Sequence, residues 1–254
     1  MNGITQREKI CVTSQNVPCC TLLSWFMCPQ NSVGVVFTIF VSRTYTSPHQ
    51  MMRDKREQDD REKKIKIDFG CGELTTEKIE RYERYLGSYN PKEYAKVDAK
   101  AVPGVDIVYR GGTSLPFKTE CVDEIICIHV LEHVINLEPL MKEFHRILKP
   151  GGKLRIWVPH CFSPSAFGMP SHVRYFTYET FCPFDKSHGM SYEFDFHFKF
   201  VTSRMQVVRR WDSLSLLDKL FERAINYNQR RGERFLKVLP YKDWEVYTEL
   251  QKEL

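Results

Sequence analysis

The sequence of 254 residues lacks an apolar run long enough to cross a membrane. Its most apolar stretch, residues 21–41, is interrupted at residues 29–32. The uninterrupted part, residues 33–41, is far short of the roughly 20 residues that a spanning helix needs. A secretory signal would be shorter and would end in small residues, which residues 42–44 do not provide. We therefore expect no membrane span, and we expect residues 1–50 to form a poorly ordered extension.

Disulfide and metal-binding patterns are also missing among the nine cysteines. None of the five in the second part of the chain follows C-x-x-C spacing; these are Cys71, Cys121, Cys127, Cys161 and Cys182. Buried free thiols in a reducing compartment explain them best, so we expect a cytoplasmic protein. The other four, Cys11, Cys19, Cys20 and Cys28, match no zinc pattern and have no histidine among them. The sequence thus predicts no metal site.

The charge of the chain shows no strong bias. A net charge of +5 permits an acidic partner, but no dense basic patch indicates nucleic-acid binding. Charges of both signs dominate residues 53–66, which therefore cannot be core. We predict that residues 51–63 are a solvated linker or a surface helix. The pattern indicates no oligomeric state.

From residue 64 onward, strand and helix patterns alternate. Strands are predicted at residues 65–69, 94–97, 105–109, 124–129 and 153–158. One helix follows Thr75 or Thr76 and ends at Gly87, and a second is capped by Asn136 and stopped at residues 150–152. Such alternation indicates a parallel sheet with helices on its faces.

The tail of the chain has a different pattern. Two late strands are predicted, within residues 194–208 and at residues 244–250, and a helix at residues 214–226 separates them. They would form an antiparallel edge of the sheet. The basic residues 229–234 are predicted to be a solvated turn.

A glycine turn follows the first strand, in the segment IDFGCGE. Gly70 and Gly72 keep side chains away from the main chain, and the helix beyond supplies unpaired N–H groups. A dinucleotide-binding loop would place a third glycine where Thr75 stands, so the nicotinamide or flavin interpretation loses support. Asp68 before the turn would repel a pyrophosphate but could hold an ammonium group.

A second acid, Asp98, ends the next predicted strand. A carboxylate at this edge of the sheet, one βα unit after a glycine turn, can accept hydrogen bonds from both hydroxyls of a ribose. An exposed loop aspartate would fit the same pattern if Asp98 were taken alone. Residues 112–117 then form a polar-to-apolar loop that suits the edge and face of an adenine.

These motifs together resemble a known family. IDFGCGE, VDAK, TSLPF, VDEIICIHVLEHV and HRILKPGGKLRIWVP follow one another across residues 64–159. In order and spacing they resemble the methyltransferase-11-like branch of the class I S-adenosylmethionine-dependent methyltransferases. The resemblance implies an α/β fold with a Rossmann-like, doubly wound, mostly parallel seven-stranded sheet and an antiparallel edge strand. It assigns residues 64–254 to one methyltransferase domain.

The resemblance also implies which residues bind the cofactor, S-adenosyl-L-methionine. Those at the methionine end are Asp68, Gly70, Cys71 and Gly72; Asp98 would bind the ribose, Ser114 and Leu115 the adenine, and His129 and Val130 the sulfonium side. The sequence departs from many relatives at Leu74, where they have a third glycine. This makes the loop less open without forbidding binding.

The acceptor is expected to be a small molecule or glycan, methylated on oxygen or nitrogen. The glycan alternative comes from PSHVRYFT, which looks like a branch of the family found largely beside surface-polysaccharide genes. His160 and His172 are the candidates for a catalytic base, because histidine titrates near neutral pH. Arg174 and Tyr175 are candidates for acceptor binding, although Arg174 could instead brace its loop. The motif that contains His133 is usually structural.

Two other functions stay open at this point. A methyltransferase-like module without catalytic activity could bind a partner, although intact Asp68, Gly70, Gly72 and Asp98 count against it. An oxidoreductase would bind NADH instead of S-adenosylmethionine. No D/N-P-P-Y/F tetrapeptide follows the fourth strand, which argues against an enzyme that methylates amino groups of nucleic acids. No acidic cluster predicts the magnesium site of catechol-type enzymes.

Overall fold

The structure is a computed structural model that describes residues 64–112, 114–208, 216–238 and 243–253. The N-terminal extension and the charged linker predicted for residues 1–63 lie outside the described residues. Within the described ranges, no helix is both long enough and apolar enough to cross a membrane.

The described residues contain one sheet of seven strands in the order β3-β2-β1-β4-β5-β7-β6. The strands are β1 (Lys66–Phe69), β2 (Tyr94–Asp98), β3 (Ile107–Val108), β4 (Val122–Ile128), β5 (Leu148–Pro159), β6 (Phe198–Val207) and β7 (Trp244–Lys252). The first five run parallel, and β7 lies antiparallel between β5 and β6. The mostly parallel sheet with an antiparallel end is confirmed, and only the two-residue β3 is much shorter than predicted.

The helices are α1 (Thr76–Leu86), α2 (Leu137–Ile147), α3 (Pro164–Phe167), α4 (Leu216–Tyr227) and α5 (Gln229–Val238). Thr75 caps α1 by accepting the N–H of Lys78, and Gly87 ends it with φ 80°, as predicted. Asn136 stands at the cap position of α2, but its side chain makes no capping bond.

Helices cover both faces of the sheet. Along β4, Ile125 and Cys127 pack into a buried cluster that includes the apolar side of α2. Ile126 and Ile128 point to the other face, where they pack with Tyr82 and other aromatic residues of and near α1. This alternation is what a strand buried on both faces requires, and it makes the sheet doubly wound.

The start of β5 differs from the prediction. Residues 150–152 were expected to precede the strand, but β5 begins at Leu148 and contains them. Leu148 pairs with Val122, and Lys153 pairs with Glu124, so four residues of β5 bulge opposite one of β4. Gly151, at φ 80°, supplies the conformation that this bulge needs.

The basic segment after residue 228 is a helix, so the predicted solvated turn is wrong. The helix α5 packs on α4 at Gly232, whose N–H donates to the carbonyl oxygen of Asn228. An added Cβ at Gly232 would overlap the carbonyl oxygen of Ile225 and lie 2.8 Å from its Cα. Close contact with α4 thus stabilises α5 as a helix, although the charge of its sequence suggested a surface turn.

The contact at Gly232 gives a test of this packing. Gly232→Ala should lower the free energy of unfolding by about 1–3 kcal/mol because the methyl group overpacks the helix contact. Helix propensity alone would instead favour alanine by about 1 kcal/mol. The control is Gly189→Ala, where an added Cβ meets no described atom within 4 Å. Urea unfolding measures both variants, and a stabilised Gly232→Ala protein would contradict the packing.

Candidate functional site

The glycine turn after β1 is held tightly against the end of β4. Gly70 has φ 77°, and its N–H donates to the carbonyl oxygen of Val97 at 2.7 Å. A Cβ on Gly70 would lie 2.6 Å from Cγ1 of Val130. Gly70 is therefore required both by its backbone conformation and by the side chain that covers it.

The turn is also bound to the end of β2. The N–H of Gly72 donates to Oδ2 of Asp98 at 2.7 Å, and the N–H of Lys100 donates to Oδ1 of the same carboxylate at 2.8 Å. Gly72 itself has φ 53°. Asp98 thus lies at the glycine turn, as the order of the strands predicts, and the backbone around it fixes its orientation.

Asp68 is fully buried beneath the turn. Oδ2 accepts the hydroxyl of Tyr89 at 2.6 Å, whereas the buried Oδ1 has no hydrogen-bond partner among the described residues. Burial raises the pKa of Asp68 from 3.8 to about 6, although the Tyr89 hydrogen bond and the charge of Lys78 oppose this. A buried carboxylate with an unused oxygen is suited to a cationic ligand group.

The two residues predicted to flank an adenine have different surroundings. Leu115 is buried, and its N–H donates to Oε2 of Glu143 at 2.9 Å while its carbonyl oxygen accepts Nη2 of Arg146 at 3.1 Å. Leu115 shares its buried cluster with Phe69 and Val97, which end β1 and β2 near the turn. Ser114 is exposed.

A cavity of about 440 Å³ lies at the carboxyl ends of β4, β5 and β6. Its lining comprises Arg81, Tyr85, His129, Glu132, His133, Pro159, Ser165, Gly168, Met169, His172, Val208 and Asp243. This edge is where open α/β sheets bind ligands, and the volume suits a small molecule. His129 in the lining directly precedes Val130, which covers Gly70, so the cavity adjoins the glycine turn.

Comparison with known families identifies this part of the chain. Residues 67–156 match the model of a family described as a methyltransferase domain. The match begins in β1 and ends in β5, and it contains Asp68, the glycine turn, Asp98 and His129. Residues 67–156 are therefore similar to a methyltransferase domain. S-adenosyl-L-methionine is the cofactor that this similarity supports.

Two curated proteins are similar to parts of the chain. An uncharacterised methyltransferase-like protein of Schizosaccharomyces pombe is 31% identical over 99 residues, 35% of this chain and 35% of that protein. An uncharacterised protein of Methanocaldococcus jannaschii is 37% identical over 67 residues, 26% of this chain and 32% of that protein. The chain therefore spans about a third of the length of the curated relatives that it matches.

Two solved structures are similar in their chain trace. One is a SAM-dependent methyltransferase from Archaeoglobus fulgidus, with 15% identity and a TM-score of 0.44, covering 80% of this chain and 94% of that one. The other is phosphoethanolamine N-methyltransferase 2 of Haemonchus contortus in complex with S-adenosyl-L-methionine, with 13% identity and a TM-score of 0.41, covering 75% of this chain and 49% of that one.

The structure brings two of the predicted cofactor residues to the glycine turn. Asp68 has one oxygen without a partner among the described residues, and Asp98 accepts backbone N–H groups through both of its oxygens. The sequence analysis missed Lys78, whose Nζ donates to the carbonyl oxygen of Cys71 and would lie 2.9 Å from a Cβ on Gly72. Lys78 thus places a positive charge above the turn, where a carboxylate can meet it.

His129, whose side chain is partly exposed, contacts a cluster of buried polar side chains. Its Nε2 is 3.1 Å from Oε2 of Glu245, and its Nδ1 is 3.6 Å from Oε1 of Glu132. Tyr85 donates its hydroxyl to Glu245 at 3.0 Å, and Gln206 donates Nε2 to the other oxygen at 2.6 Å. Burial lowers the pKa of His129, but hydrogen bonds and charge from the two glutamates outweigh it and raise the pKa to about 9.

The two histidines predicted as candidate bases lie in different places. His160 is fully buried outside the cavity lining, with Nε2 at 2.9 Å from Oε1 of Glu233 and Nδ1 accepting the N–H of Phe162 at 3.1 Å. Both its ring nitrogens are engaged, which gives its catalytic role no support from the geometry. His172 lines the cavity, and its Nδ1 bonds the carbonyl oxygen of Ala166 at 3.1 Å.

Arg174 and Tyr175 are outside the cavity lining. The guanidinium of Arg174 donates to the carbonyl oxygens of Val134 and Ile135, the first at 2.7 Å. It therefore braces its loop, which was the alternative left open from the sequence. Tyr175 is half exposed and stacks on Phe167 with ring centroids 4.6 Å apart.

The first prediction for the candidate site concerns Asp98. Asp98→Ala should weaken binding of S-adenosylhomocysteine by about 1–3 kcal/mol, because a charged acceptor for two hydroxyls is lost and the Gly72 N–H is freed. Isothermal titration calorimetry measures the change. The matched control is Asp195→Ala, which removes an exposed carboxylate paired with Lys142 and should bind as the wild type does. Equal affinity of the Asp98→Ala protein would show that this carboxylate does not bind the ribose.

A second prediction concerns Asp68. Because its pKa is raised to about 6 in the folded protein, the unfolded chain loses its proton first as the pH rises from about 4 to 6. Folding of the unliganded protein is therefore fully supported below this window and loses stability across it. Asp68→Asn should raise the free energy of unfolding at pH 7 by about 1–3 kcal/mol while weakening S-adenosylhomocysteine binding.

Urea unfolding at pH 4.5 and pH 7, together with calorimetric titration, measures both effects of Asp68→Asn. The control is Glu80→Gln, which neutralises an exposed carboxylate on α1 and should change neither quantity. A variant that binds as tightly as the wild type, or one that is less stable at pH 7, would contradict the assignment.

Proposed function

We propose that the protein transfers a methyl group from S-adenosylmethionine to an oxygen or nitrogen of a small molecule or glycan. The observation that carries this proposal is that the glycine turn and the cavity lie next to each other. The glycine turn, with Asp68 before it and Asp98 bonded to it, lies against Val130, and the adjacent His129 lines a pocket that could hold an acceptor. Donor and acceptor sites that share one strand end are what methyl transfer requires.

Different residues are proposed to bind the different parts of the cofactor. Asp68 would bind the ammonium and Lys78 the carboxylate, since their charges are opposite to these groups. Asp98 would bind the ribose, and the loop of Ser114 and Leu115 would contact the adenine. The bound cofactor supplies a methyl carbon already activated by a positive sulfur.

The chain itself then has three tasks in the proposed reaction. It must align the acceptor, exclude water and manage the proton that an acceptor loses. Alignment of this kind can supply about 7–11 kcal/mol, so the fixed walls of the cavity matter most. Glu132 and Glu245 raise the pKa of His129 to about 9, so the ring carries a positive charge at neutral pH. It would therefore contribute positive charge to the cavity lining and would not act as a base. His172, which lies in the cavity lining, stays the predicted catalytic base.

The size of the cavity limits the acceptor. About 440 Å³ admits a small molecule or a single sugar unit of a glycan. Protein or RNA would have to insert one side chain or base. The proposal also includes a cytoplasmic location, supported by the free thiols of Cys71, Cys121, Cys127, Cys161 and Cys182.

The test of the proposed function uses cofactor labelled in its methyl group and extract from the source cells. We expect label to enter the small-molecule or glycan fraction with wild-type protein and with Asp195→Ala, and to fall at least about fivefold with Asp98→Ala at subsaturating cofactor. Label in RNA or protein would overturn the proposed acceptor class. Binding of S-adenosylhomocysteine without any transfer would indicate the non-catalytic module, and absence of binding would reject the cofactor site.

A further inference from the structure

Three cavity residues form a cluster of which the proposed methyl transfer uses only His172. Glu132, His133 and His172 each offer one ligand atom, and these atoms lie within 4.8 Å of one another. All three side chains line the same cavity. We propose that this cluster binds a first-row divalent cation such as Zn²⁺.

The carboxylate of Glu132 has one oxygen without a described partner, which indicates a ligand. The residue is 1% exposed, and its buried Oε2 makes no hydrogen bond within the described residues. Its other oxygen, Oε1, faces Nδ1 of His129 at 3.6 Å. A buried carboxylate oxygen without a partner is costly, and a cation beside it would remove that cost.

The two imidazoles are prepared to act as ligands. Nδ1 of His133 lies 3.1 Å from the carbonyl oxygen of Ser171, and Nδ1 of His172 lies 3.1 Å from that of Ala166. A carbonyl oxygen can only accept, so in a neutral ring each Nδ1 carries the proton and each Nε2 has the lone pair. Metal-binding histidines commonly have this second hydrogen bond to a backbone carbonyl.

The backbone holds the two ligand-bearing segments together. The N–H groups of Val173 and Arg174 both donate to the carbonyl oxygen of Glu132, at 2.8 and 3.2 Å. The guanidinium of Arg174 adds its bonds to Val134 and Ile135. The turn that carries Glu132 and His133 is thereby fixed against the segment that carries His172, before any ion arrives.

The donor set indicates the kind of ion. Two imidazole nitrogens and one carboxylate oxygen suit zinc and its neighbours better than magnesium or calcium, which prefer oxygen alone. Ligands about 2.0–2.2 Å from one zinc ion are at most about 4.4 Å apart, so a small side-chain rotation closes the set. Three protein ligands leave a fourth position, which here opens to the cavity.

An ion at this place would change the expected role of His172. A ring that binds a cation through Nε2 has no lone pair with which to accept a proton. The cation, rather than the ring, would then orient an oxygen or nitrogen of the acceptor. This consequence rests on the proposed function, whereas metal binding by the cluster does not.

The test measures metal binding directly on the full chain. To remove competing thiols, Cys11, Cys19, Cys20 and Cys28 are changed to serine, and bound metal is stripped with a chelator. Zn²⁺ is then titrated by calorimetry, and Co²⁺ is followed by its visible absorption. We expect one ion per chain, a tetrahedral Co²⁺ spectrum and an increase in Tm with Zn²⁺.

Three variants and a control decide the assignment. Glu132→Gln, His133→Ala and His172→Ala should each weaken Zn²⁺ binding about tenfold or more and remove the increase in Tm. His188→Ala, which alters an exposed histidine away from the cavity, should leave both unchanged. Thermal unfolding in chelator checks that each variant is folded. Absence of stoichiometric binding, or wild-type affinity in folded Glu132→Gln and His172→Ala proteins, would overturn the metal site while leaving the S-adenosylhomocysteine titration unaffected.

Discussion

The hydrogen bond from the Gly72 N–H to Asp98 joins the ends of two adjacent parallel strands. It fixes the glycine turn after β1 against the acid at the end of β2, while Val130, two residues after the neighbouring strand β4, covers Gly70. These contacts join three strand ends into one surface and leave no room for a side chain on Gly70. The cofactor assignment and the neighbouring cavity both depend on this arrangement.

The site also contains three buried acidic side chains. Asp68, Glu132 and Glu245 are all 1% exposed or less, and each is near the carboxyl edge of the sheet. Glu245 is satisfied by Tyr85, Gln206 and His129, whereas Asp68 and Glu132 each keep one oxygen without a described partner. Burial of these two unpaired oxygens lowers the stability of the unliganded protein, and bound cationic groups would restore it.

Much of the site could be predicted from sequence because its parts are local. The glycine turn and Asp98 each follow a strand that is apolar enough to recognise, and parallel strands bring their ends together. The cluster of Glu132, His133 and His172 could not be found in this way, since it joins residues about 40 apart through backbone hydrogen bonds. The same limit applies to Glu245, which reaches His129 from the antiparallel strand β7.

The fold shows a similar division. Helices and strands with clear periodicity were predicted within a few residues, whereas α5 was missed because its basic sequence is stabilised by contact with α4 at Gly232. The bulge in β5 was missed because residues 150–152 have the composition of a helix stop, and the strand continues through them only because the residues on either side pair with β4. His160 looked catalytic from its position after β5, but its partner Glu233 comes from that unpredicted helix.

The central claim is that one surface between β1, β2 and β4 holds the sulfonium nucleoside. A crystal structure of the protein with S-adenosylhomocysteine tests it most directly. The account predicts ribose hydroxyls on Asp98, the ammonium within reach of Asp68, and the sulfur toward His129 and the cavity. Ligand density elsewhere on the chain, with Asp98 still bound only to the backbone of Gly72 and Lys100, would contradict it.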